Sequence, residues 1–251
     1  MGDEPASRVG RWRVRRFDTI DSTNRWLLDE ARGGAPEGLV AVADHQTAGR
    51  GRRGRTWSAP SGSSLLVSVL LRPRIDTQQV HVLTMAAAVA LRAAVEQVAS
   101  LRADVKWPND LVVVDRKLAG ILAETELTAN GEIGAVVIGL GCNVEWVDFP
   151  PELAERATAC NLEAGRPVDR AELLAAFLDR LAEQLDDLDG VPAAYRSVLA
   201  TLGRRVRVDL GTRAIEGTAT DIDEAGRLVV TNEDGISEVV AAGDVVHLRH
   251  P

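Results

Sequence analysis

The nine residues GRGRRGRTW, at positions 49–57, place many groups that can bind an anion in one short segment. The three glycines let the backbone approach a ligand closely, and the four arginines offer forked donors to carboxylate or phosphate oxygens. The segment matches G-x-G-x-x-G and also a P-loop in which Arg replaces Lys, but both fingerprints need a helix directly after the glycines. The following residues, WSAPSGSS, contain Pro60 and Gly62 and cannot open a helix. We therefore expect a glycine-rich, anion-binding loop between two strands.

Two other interpretations of this loop stay open, an RNA-binding segment and a solvated basic turn. The loop carries four positive charges, whereas the whole chain has a formal net charge of −8. A general nucleic-acid binder spreads positive charge over a face, because its affinity grows with the number of phosphates that it neutralises. The concentration of charge in one loop favours a small anionic ligand. We expect this loop to be disordered when empty and to close over a bound anion as a lid.

The lysines of the chain mark a second segment, KWPNDLVVVDRKLAGIL. Of the 29 basic residues, two are lysines, Lys106 and Lys117, and the remaining 27 are arginines. A compact ammonium and a planar guanidinium are not interchangeable, so this distribution favours a specific requirement for lysine, with chance as the alternative. The WPND motif also exposes Asn109 and Asp110 before a strand, where they could reach a ligand. An ordinary Asn-Asp turn is the alternative there.

Glycines and short polar residues mark two further places. The strand IGLGCNV, at 138–144, contains two glycines, which weaken a strand unless something packs close to it. Gly120 would allow a ligand to approach the neighbouring strand in the same way. The DSTN motif, at 21–24, is most often a helix cap, but it can also present hydroxyl and amide groups to a polar ligand.

The hydrophobic periodicity of the whole chain predicts an α+β fold in two parts, with domains at 1–202 and 203–251. After Gly203, about five short strands with turns at Gly211, 224–226 and 234–235 indicate a small β-barrel. No run approaches the ~20 apolar residues of a membrane helix, so no membrane partner is expected. The predicted elements of the larger part are a strand, turn and helix over 17–34 (capped by Ser22 or Thr23), strands at 38–46, 63–73 and 132–144, a hairpin around Asp115-Arg116, and helices at 77–100, 169–188 (capped by Asp169) and about 192–201.

These motifs, in this order, resemble the biotin protein ligase family. The resemblance rests on DSTN, HQTAGRGRRGRTW, KWPNDL, RKLAGIL, GLGCNV and the C-terminal AGDVVHLR, and it covers nearly the whole chain. It implies a mixed-sheet catalytic domain related to class II aminoacyl-tRNA synthetases, followed by a small SH3-like β-barrel. It also implies a two-step reaction: biotin and Mg-ATP form biotinyl-5′-AMP, and a lysine of the biotin carboxyl carrier protein then takes the biotin. The cofactor and substrates implied are therefore Mg²⁺, ATP and biotin.

The resemblance assigns roles to residues by motif position. Lys117 and Arg52 are implied as catalytic residues, with Lys117 as the main electrostatic catalyst near the biotin carboxylate and the α-phosphate. Asp110 is the candidate contact for magnesium or for the incoming lysine. The implied biotin site consists of Ser22, Thr23, Asn24, Gln46, Arg50, Gly51, Arg52, Lys117, Gly120, Gly139 and Gly141. The implied ATP and adenylate site consists of Arg55, Trp57, Lys106, Asn109, Asp110 and Asn143.

The position of the DSTN motif separates this chain from some members of the family. Those members carry an N-terminal winged helix-turn-helix of about 60 residues, whereas DSTN begins here at residue 21. We therefore expect a ligase without DNA binding, either a monomer or a homodimer. Two cysteines without metal-ligand spacing favour a reducing, cytoplasmic location. The nearest alternative is a lipoate–protein ligase or octanoyltransferase, which would share the fold and a carrier lysine as acceptor.

Overall fold

A computed structural model describes residues 7–241 and 243–248 of the chain, so that Ala242 and Arg249 of the C-terminal motif lie outside the described residues. Its strands and helices run in the order β1 (Ser7–Val9), β2 (Trp12–Ile20), α1 (Thr23–Arg32), β3 (Leu39–Gln46), β4 (Ser64–Leu71), α2 (Val80–Ala99), β5 (Asp104–Lys106), β6 (Asp110–Val113), β7 (Arg116–Leu127), β8 (Ile133–Asn143), α3 (Cys160–Ala164), α4 (Arg170–Asp186), α5 (Val191–Ser197), β9 (Arg205–Asp209), β10 (Ala214–Ile222), β11 (Leu228–Thr231), β12 (Ser237–Val240) and β13 (Asp244–His247).

The first eight strands form one mixed sheet in the order β1-β2-β3-β4-β8-β7-β6-β5. Its strands pair antiparallel except for β2 and β3, which are parallel because α1 crosses between them. Helices α2 and α4 pack on one face of the sheet, and α1 packs on the other. All eight residues of β4 are buried, as expected of a central strand covered on both faces. The predicted mixed α+β class with a large mixed sheet is confirmed.

Helix caps are the local features that the sequence predicts best. Ser22 is the N-cap of α1 and accepts a hydrogen bond from the backbone N of Arg25, and Asp169 caps α4 by accepting from the backbone N of Ala171 and Glu172. Both caps are confirmed, because Ser and Asp side chains satisfy amides that the first helical turn leaves free.

The last helix of the larger part is shorter than predicted. The pattern predicts a helix to about residue 201, but α5 ends at Ser197. Beyond it, Val105 of β5 donates to the carbonyl of Val198 (2.9 Å), and Ala200 donates to the carbonyl of Val105 (2.8 Å). The backbone after α5 therefore pairs with the edge strand of the sheet, and this tertiary pairing ends the helix.

Helix α2 corrects the expectation that no segment is long and apolar enough to cross a membrane. It has 20 residues and meets that criterion by length and composition. Most of its apolar residues, such as Leu83, Leu91 and Val95, are buried in the main core against the sheet and α4. An apolar helix of this length is also what a two-sided core requires, since it faces protein on most of its surface.

The last five strands form an antiparallel sheet in the order β12-β11-β10-β9-β13. The three predicted turns are confirmed, with positive φ at Gly211, Gly226 and Gly235. One of these turns docks on the larger part, because Trp107 donates from Nε1 to the carbonyl of Gly226 at 2.9 Å. The boundary predicted at residue 203 stays a prediction.

Candidate active site

A cleft of about 930 Å³ lies where the eight-stranded sheet, the loop at 49–57 and strand β13 meet. Its wall contains every predicted site residue except Asn143. Asn143 is buried at the end of β8, where its Nδ2 donates to the carbonyl of Thr158 (3.0 Å) and its Oδ1 accepts from Ser64 (3.4 Å). Asn143 thus connects β8 to the segment that follows it, and it is not part of the proposed nucleotide site.

The N-terminus of α1 forms an uncharged polar end of the cleft. The backbone N and the hydroxyl of Thr23 lie 2.8 and 3.0 Å from Gln46 Oε1. Ser68 of β4 lies 2.7 Å from the Thr23 hydroxyl and 2.6 Å from Asn24 Oδ1. Ser68 is absent from the predicted site, although one polar residue inside the apolar run LLVSVLL is a signal that could have found it. This end of the cleft suits a neutral ligand that carries N–H and C=O groups.

Three glycines form the floor of the cleft. A Cβ atom on Gly139 would lie 1.9 Å from Asn24 Oδ1, and one on Gly141 would lie 2.4 Å from Trp57 Cε2. A Cβ atom on Gly120 would lie 3.0 Å from Lys117 Nζ. The close packing that glycines in a strand imply is seen here, since side chains of the cleft lie directly on the sheet. Approach of a ligand to Gly120 stays a prediction.

Trp57 lies on this glycine floor. Its ring contacts the positions of Gly141 and Gly120, and Lys117 Nζ lies 5.6 Å from the ring centroid. Its Nε1 is buried with no hydrogen-bond partner among the described residues. A buried donor without an acceptor is rare and costly, and this N–H lies against Gly141, where a Cβ atom would come within 2.6 Å of it.

The loop at 49–57 folds as a tight hairpin over the cleft. Gly51 donates to the carbonyl of Arg55 at 2.7 Å, and Arg53 adopts a left-handed conformation with φ of 56°. Arg50 pairs with Glu124 of β7 at 2.9 Å, and Arg52 donates to Asn109 Oδ1 at 3.0 Å. Side chains elsewhere in the chain therefore supply acceptors for the arginines of the loop. The expectation that the empty loop is disordered stays a prediction.

The C-terminal sheet supplies a further acceptor for the arginines of the loop. Asp244, at the start of β13, forms ion pairs with Arg53 at 3.2 Å and with Arg55. Neither Glu124 nor Asp244 is among the predicted site residues. Asp244 could have been found within the C-terminal motif, but nothing local to the sequence links it to the loop.

Lys117 points into the cleft and forms an ion pair with Asp110, with 2.7 Å between Nζ and Oδ1. The backbone on both sides of Lys117 is fixed, because its N donates to the carbonyl of Arg156 (2.7 Å) and its carbonyl accepts from Thr158 (2.9 Å). Lys117 thus lines the cleft, although it lies close to the start of β7. The ammonium is thereby held beside the glycine floor.

The cationic end of the cleft is partly withdrawn from water. Burial lowers the pKa of Lys106. The negative charges of Asp110 and Asp115 oppose this shift, whereas the positive charges of Lys117 and Arg204 add to it. Charges in such a setting act on a ligand more strongly than charges in water, because less solvent screens them.

Arg52, which donates to Asn109, is the most buried of the four arginines in the loop. Burial lowers the pKa of its guanidinium, which nevertheless stays protonated at neutral pH. The cleft thus has one uncharged polar end and one cationic end, joined by the glycine floor.

The outer rim of the cleft joins the larger part to the C-terminal sheet. Arg204 donates to Asp115 at the tip of the β6–β7 hairpin (2.8 Å), and His247 Nδ1 lies 3.3 Å from the same carboxylate. His247 Nε2 lies 3.3 Å from the hydroxyl of Thr201. Burial and the nearby Lys106 lower the pKa of His247, which keeps its ring neutral at neutral pH.

The carboxylates of the cleft do not form a preformed metal cage. Within residues 7–241 and 243–248, no group of three or more His, Cys, Asp or Glu side chains is arranged to hold a metal ion. Asp110 is the carboxylate paired with Lys117, and Asp115, Glu155 and Asp244 also line the cleft. A carboxylate beside lysine and arginine side chains fits Mg²⁺ that arrives on a nucleotide, because this ion retains waters and phosphate ligands.

Comparison with known proteins finds two family models that match the chain. Residues 16–143 match the model described as "Biotin/lipoate A/B protein ligase family". Residues 201–248 match the model described as "Biotin protein ligase C terminal domain".

Relatives and solved structures match over most of their length. The biotin–[acetyl-CoA-carboxylase] ligase of Mycobacterium tuberculosis is 38% identical over 91% of this chain and 86% of its own. The bifunctional ligase/repressor BirA of Bacillus subtilis is 34% identical over 90% of this chain and 71% of its own. The structure of the Aquifex aeolicus biotin protein ligase in complex with biotin and ATP superposes with a TM-score of 0.81 at 28% identity, over 94% of this chain and 99% of that one.

Proposed function

The chain belongs to the biotin/lipoate A/B protein ligase family, and from this premise we propose how its cleft activates biotin and passes it to a protein. The chain is an ATP-dependent biotin ligase. One observation carries the assignment of the cleft: an uncharged polar end at Thr23 and Asn24 is joined over a glycine floor to a cationic end at Lys117. The neutral ureido ring of biotin fits the first end, and its carboxylate with the nucleotide phosphates fits the second.

In the first step, the biotin carboxylate attacks the α-phosphorus of ATP, the bond to the β-phosphate breaks, and pyrophosphate leaves. Two anions must meet in this step, so fixed positive charge has to offset their repulsion. Lys117 and Arg52 are the residues that we assign to this role, because both reach the cleft from backbone that is held in place. Lys106 and Arg55 add charge on the nucleotide side, and Trp57 lies between the two ligands.

In the second step, the uncharged amine of a carrier lysine attacks the carbonyl carbon of the mixed anhydride. AMP leaves, an amide bond forms and the amine nitrogen loses a proton. Water would hydrolyse the same anhydride, so the loop at 49–57 acts as a lid that excludes it. Asp110 lies beside Lys117 and can accept a hydrogen bond from the incoming amine.

Magnesium is proposed to enter with ATP. Mg²⁺ bound with ATP would supply positive charge to the phosphates. Asp110 is the residue of this chain that would contact it, and its Oδ1 lies 2.7 Å from Lys117 Nζ.

The wider assignments rest on the family resemblance of the sequence motifs. We propose that the catalytic part is related to class II aminoacyl-tRNA synthetases and that the C-terminal sheet is an SH3-like barrel. The acceptor is a biotin carboxyl carrier protein, in keeping with the name of the Mycobacterium tuberculosis relative. A cytoplasmic location, and action as a monomer or homodimer without DNA binding, complete the proposal.

Mass spectrometry of a purified carrier domain tests this function. After incubation with the enzyme, Mg-ATP and biotin, we expect one biotinyl group on one lysine, and no modification when ATP is left out. Lipoate in place of biotin serves as the specificity control. Modification by lipoate alone would assign the cleft to the lipoate branch of the family, and no modification by either acid would remove the proposal.

A further inference from the structure

Glu124 lies where the polar end of the cleft meets the lid. It is on β7, and its side chain is 19% exposed. Its two carboxylate oxygens have different partners: Oε2 accepts from Asn24 Nδ2 at 2.8 Å, and Oε1 forms an ion pair with Arg50, 2.9 Å from Nη2. One carboxylate therefore connects the first turn of α1 to the loop at 49–57, although neither of these segments is its neighbour in sequence.

The carboxylate also decides which way the Asn24 amide faces. An ionised carboxylate can only accept, so Asn24 must turn its NH₂ group toward Glu124. The carbonyl of Leu122, 3.4 Å from the same Nδ2, favours this orientation too. Asn24 Oδ1 then faces Ser68 and the glycine floor, where Gly139 leaves room for it. A reversed amide would set its NH₂ group against the floor and its oxygen against the carboxylate.

We propose that Glu124 is a positioning residue that couples recognition of the biotin ring to closure of the lid. It fixes the donor and acceptor pattern of Asn24 for a ureido ligand, and it holds Arg50 over that ligand. This inference rests on the proposed function and deepens it, because it adds a determinant of substrate choice that lies behind the contacting residues. A hydrogen bond to a charged group contributes more than a neutral one, so both connections depend on the charge of Glu124.

Glu124→Gln tests the coupling, because glutamine has the same shape but must turn an NH₂ group toward one of the two donors. We expect the KM for biotin to rise about tenfold, as the loss of one charge-assisted hydrogen bond predicts, with kcat for adenylate formation changed less than about threefold. We also expect the adenylate to leave the enzyme faster, measured as release of labelled biotinyl-AMP in the absence of carrier.

Glu126→Gln is the matched control. Glu126 lies two residues along the same strand, faces the same side, and pairs with Arg32 of α1 outside the cleft. Both variants lose one ion pair between β7 and another segment, so their thermal unfolding should change alike. Glu126→Gln should keep the wild-type KM for biotin and the wild-type rate of adenylate release.

Arg50→Gln separates the two halves of the proposal and avoids the sheet altogether, since Arg50 is on the loop and 46% of its side chain is exposed. It should speed adenylate release, because the ion pair with Glu124 is lost while the hydrogen bond between Glu124 and Asn24 is kept. The double variant should release adenylate no faster than Glu124→Gln alone, because one connection cannot be broken twice.

Three outcomes would overturn the inference. The first is a Glu124→Gln variant with the wild-type KM for biotin and the wild-type rate of adenylate release. The second is a Glu126→Gln variant in which both quantities change as much as in Glu124→Gln. The third is full additivity of Arg50→Gln and Glu124→Gln in the rate of adenylate release. If the wild-type protein formed no biotinyl-adenylate at all, the proposed function itself would fail. If the wild-type protein formed adenylate and Glu124→Gln matched it in both the KM for biotin and adenylate release, only the inference about Glu124 would fail.

Discussion

The ammonium of Lys117 is closely approached on two sides, although 39% of its side chain is exposed. A Cβ atom on Gly120 would lie 3.0 Å from Nζ, so the ammonium lies against the strand that carries this glycine. Asp110 holds the other side at 2.7 Å. In a chain that uses arginine for 27 of its 29 basic residues, this crowding is a physical reason for a lysine here.

Replacement of Lys117 should therefore affect the chemical step. We expect Lys117→Ala to lose at least ~2 kcal/mol of transition-state stabilisation, about thirtyfold in the rate of adenylate formation. Lys117→Arg should fail to restore the rate, because a planar guanidinium does not place the same compact charge beside Asp110 and Gly120. Single-turnover formation of biotinyl-AMP measures both variants, and thermal unfolding checks that they fold. Wild-type rates in Lys117→Ala would exclude the residue from the mechanism.

The cleft residues that the sequence predicts are those that belong to short motifs. DSTN, the arginine loop and the WPND segment each place several polar groups within a few residues, so local spacing identifies them. Ser68, Glu124 and Asp244 are single residues in ordinary strands, and only the pairing of distant segments gives them partners. Asn143 is the reverse case, a predicted site residue that does not line the cleft. It is the last residue of the glycine-rich strand β8, and its amide donates to the backbone carbonyl of Thr158.

At the scale of elements, the lid is held by residues of two different sheets. Its Arg50 pairs with Glu124 of the large sheet, and its Arg53 and Arg55 pair with Asp244 of the C-terminal sheet. The C-terminal sheet therefore contributes to closure of the cleft without lining the polar end. This contribution is electrostatic, so it depends on ionic strength.

Asp244→Asn should shorten the time for which the adenylate is held. Two partly exposed ion pairs are lost, each worth up to about 1 kcal/mol, so we expect release to be about threefold to tenfold faster. The difference from wild type should shrink at high salt. Glu216→Gln is the control, because it breaks the pair with Arg207 within the same sheet and away from the lid. Equal release from both variants would show that general loosening of the sheet is responsible.

Elements with a strong local pattern are predicted well, and their ends are set by tertiary contacts. Capping side chains are local, so the starts of α1 and α4 follow from the sequence. The end of α5 does not, because the backbone of 198–200 leaves the helix to pair with Val105. The short strand β5 has no pattern of its own and exists through pairing with β6.

At the scale of the whole molecule, the two parts are joined at the rim of the cleft. Trp107 donates to the carbonyl of Gly226, and Asp115 receives Arg204 beside His247. The order of the two parts and the five strands of the second could be predicted from the sequence, because turn residues recur at short intervals. Their mutual orientation could not, since it depends on single contacts between segments about 90 or more residues apart.

His247 should make this junction sensitive to pH. Burial and Lys106 lower the pKa of His247 below its ordinary 6.5, with Arg204 adding to this shift and Asp115 opposing it. Because the folded-state pKa is depressed, the unfolded chain binds the proton more readily. The stabilisation is complete above pH 6.5 and is lost as the pH falls through the folded-state pKa.

The free energy of unfolding, measured in denaturant at several pH values, tests this expectation. The wild-type protein should lose stability as the pH falls below 6.5, and His247→Gln should lose less over the same window. His81→Gln is the comparison, because burial and Arg52 lower the pKa of that histidine as well, at the start of α2. An unchanged pH slope in His247→Gln would mean that this ring does not govern the junction.

The ion pairs of the lid also determine how the chain responds to other anions. Three of the four arginines pair with two carboxylates, Glu124 and Asp244, so the loop and these two partners together carry a formal charge of +2. A long polyanion that stays outside the cleft meets this halved charge on a chain of net charge −8. The fourth arginine, Arg52, has the neutral Asn109 amide as its partner. The internal ion pairs thus weaken the attraction of the loop for polyanions outside the cleft, while the ion-pair-free charge of Arg52 faces a ligand that enters it.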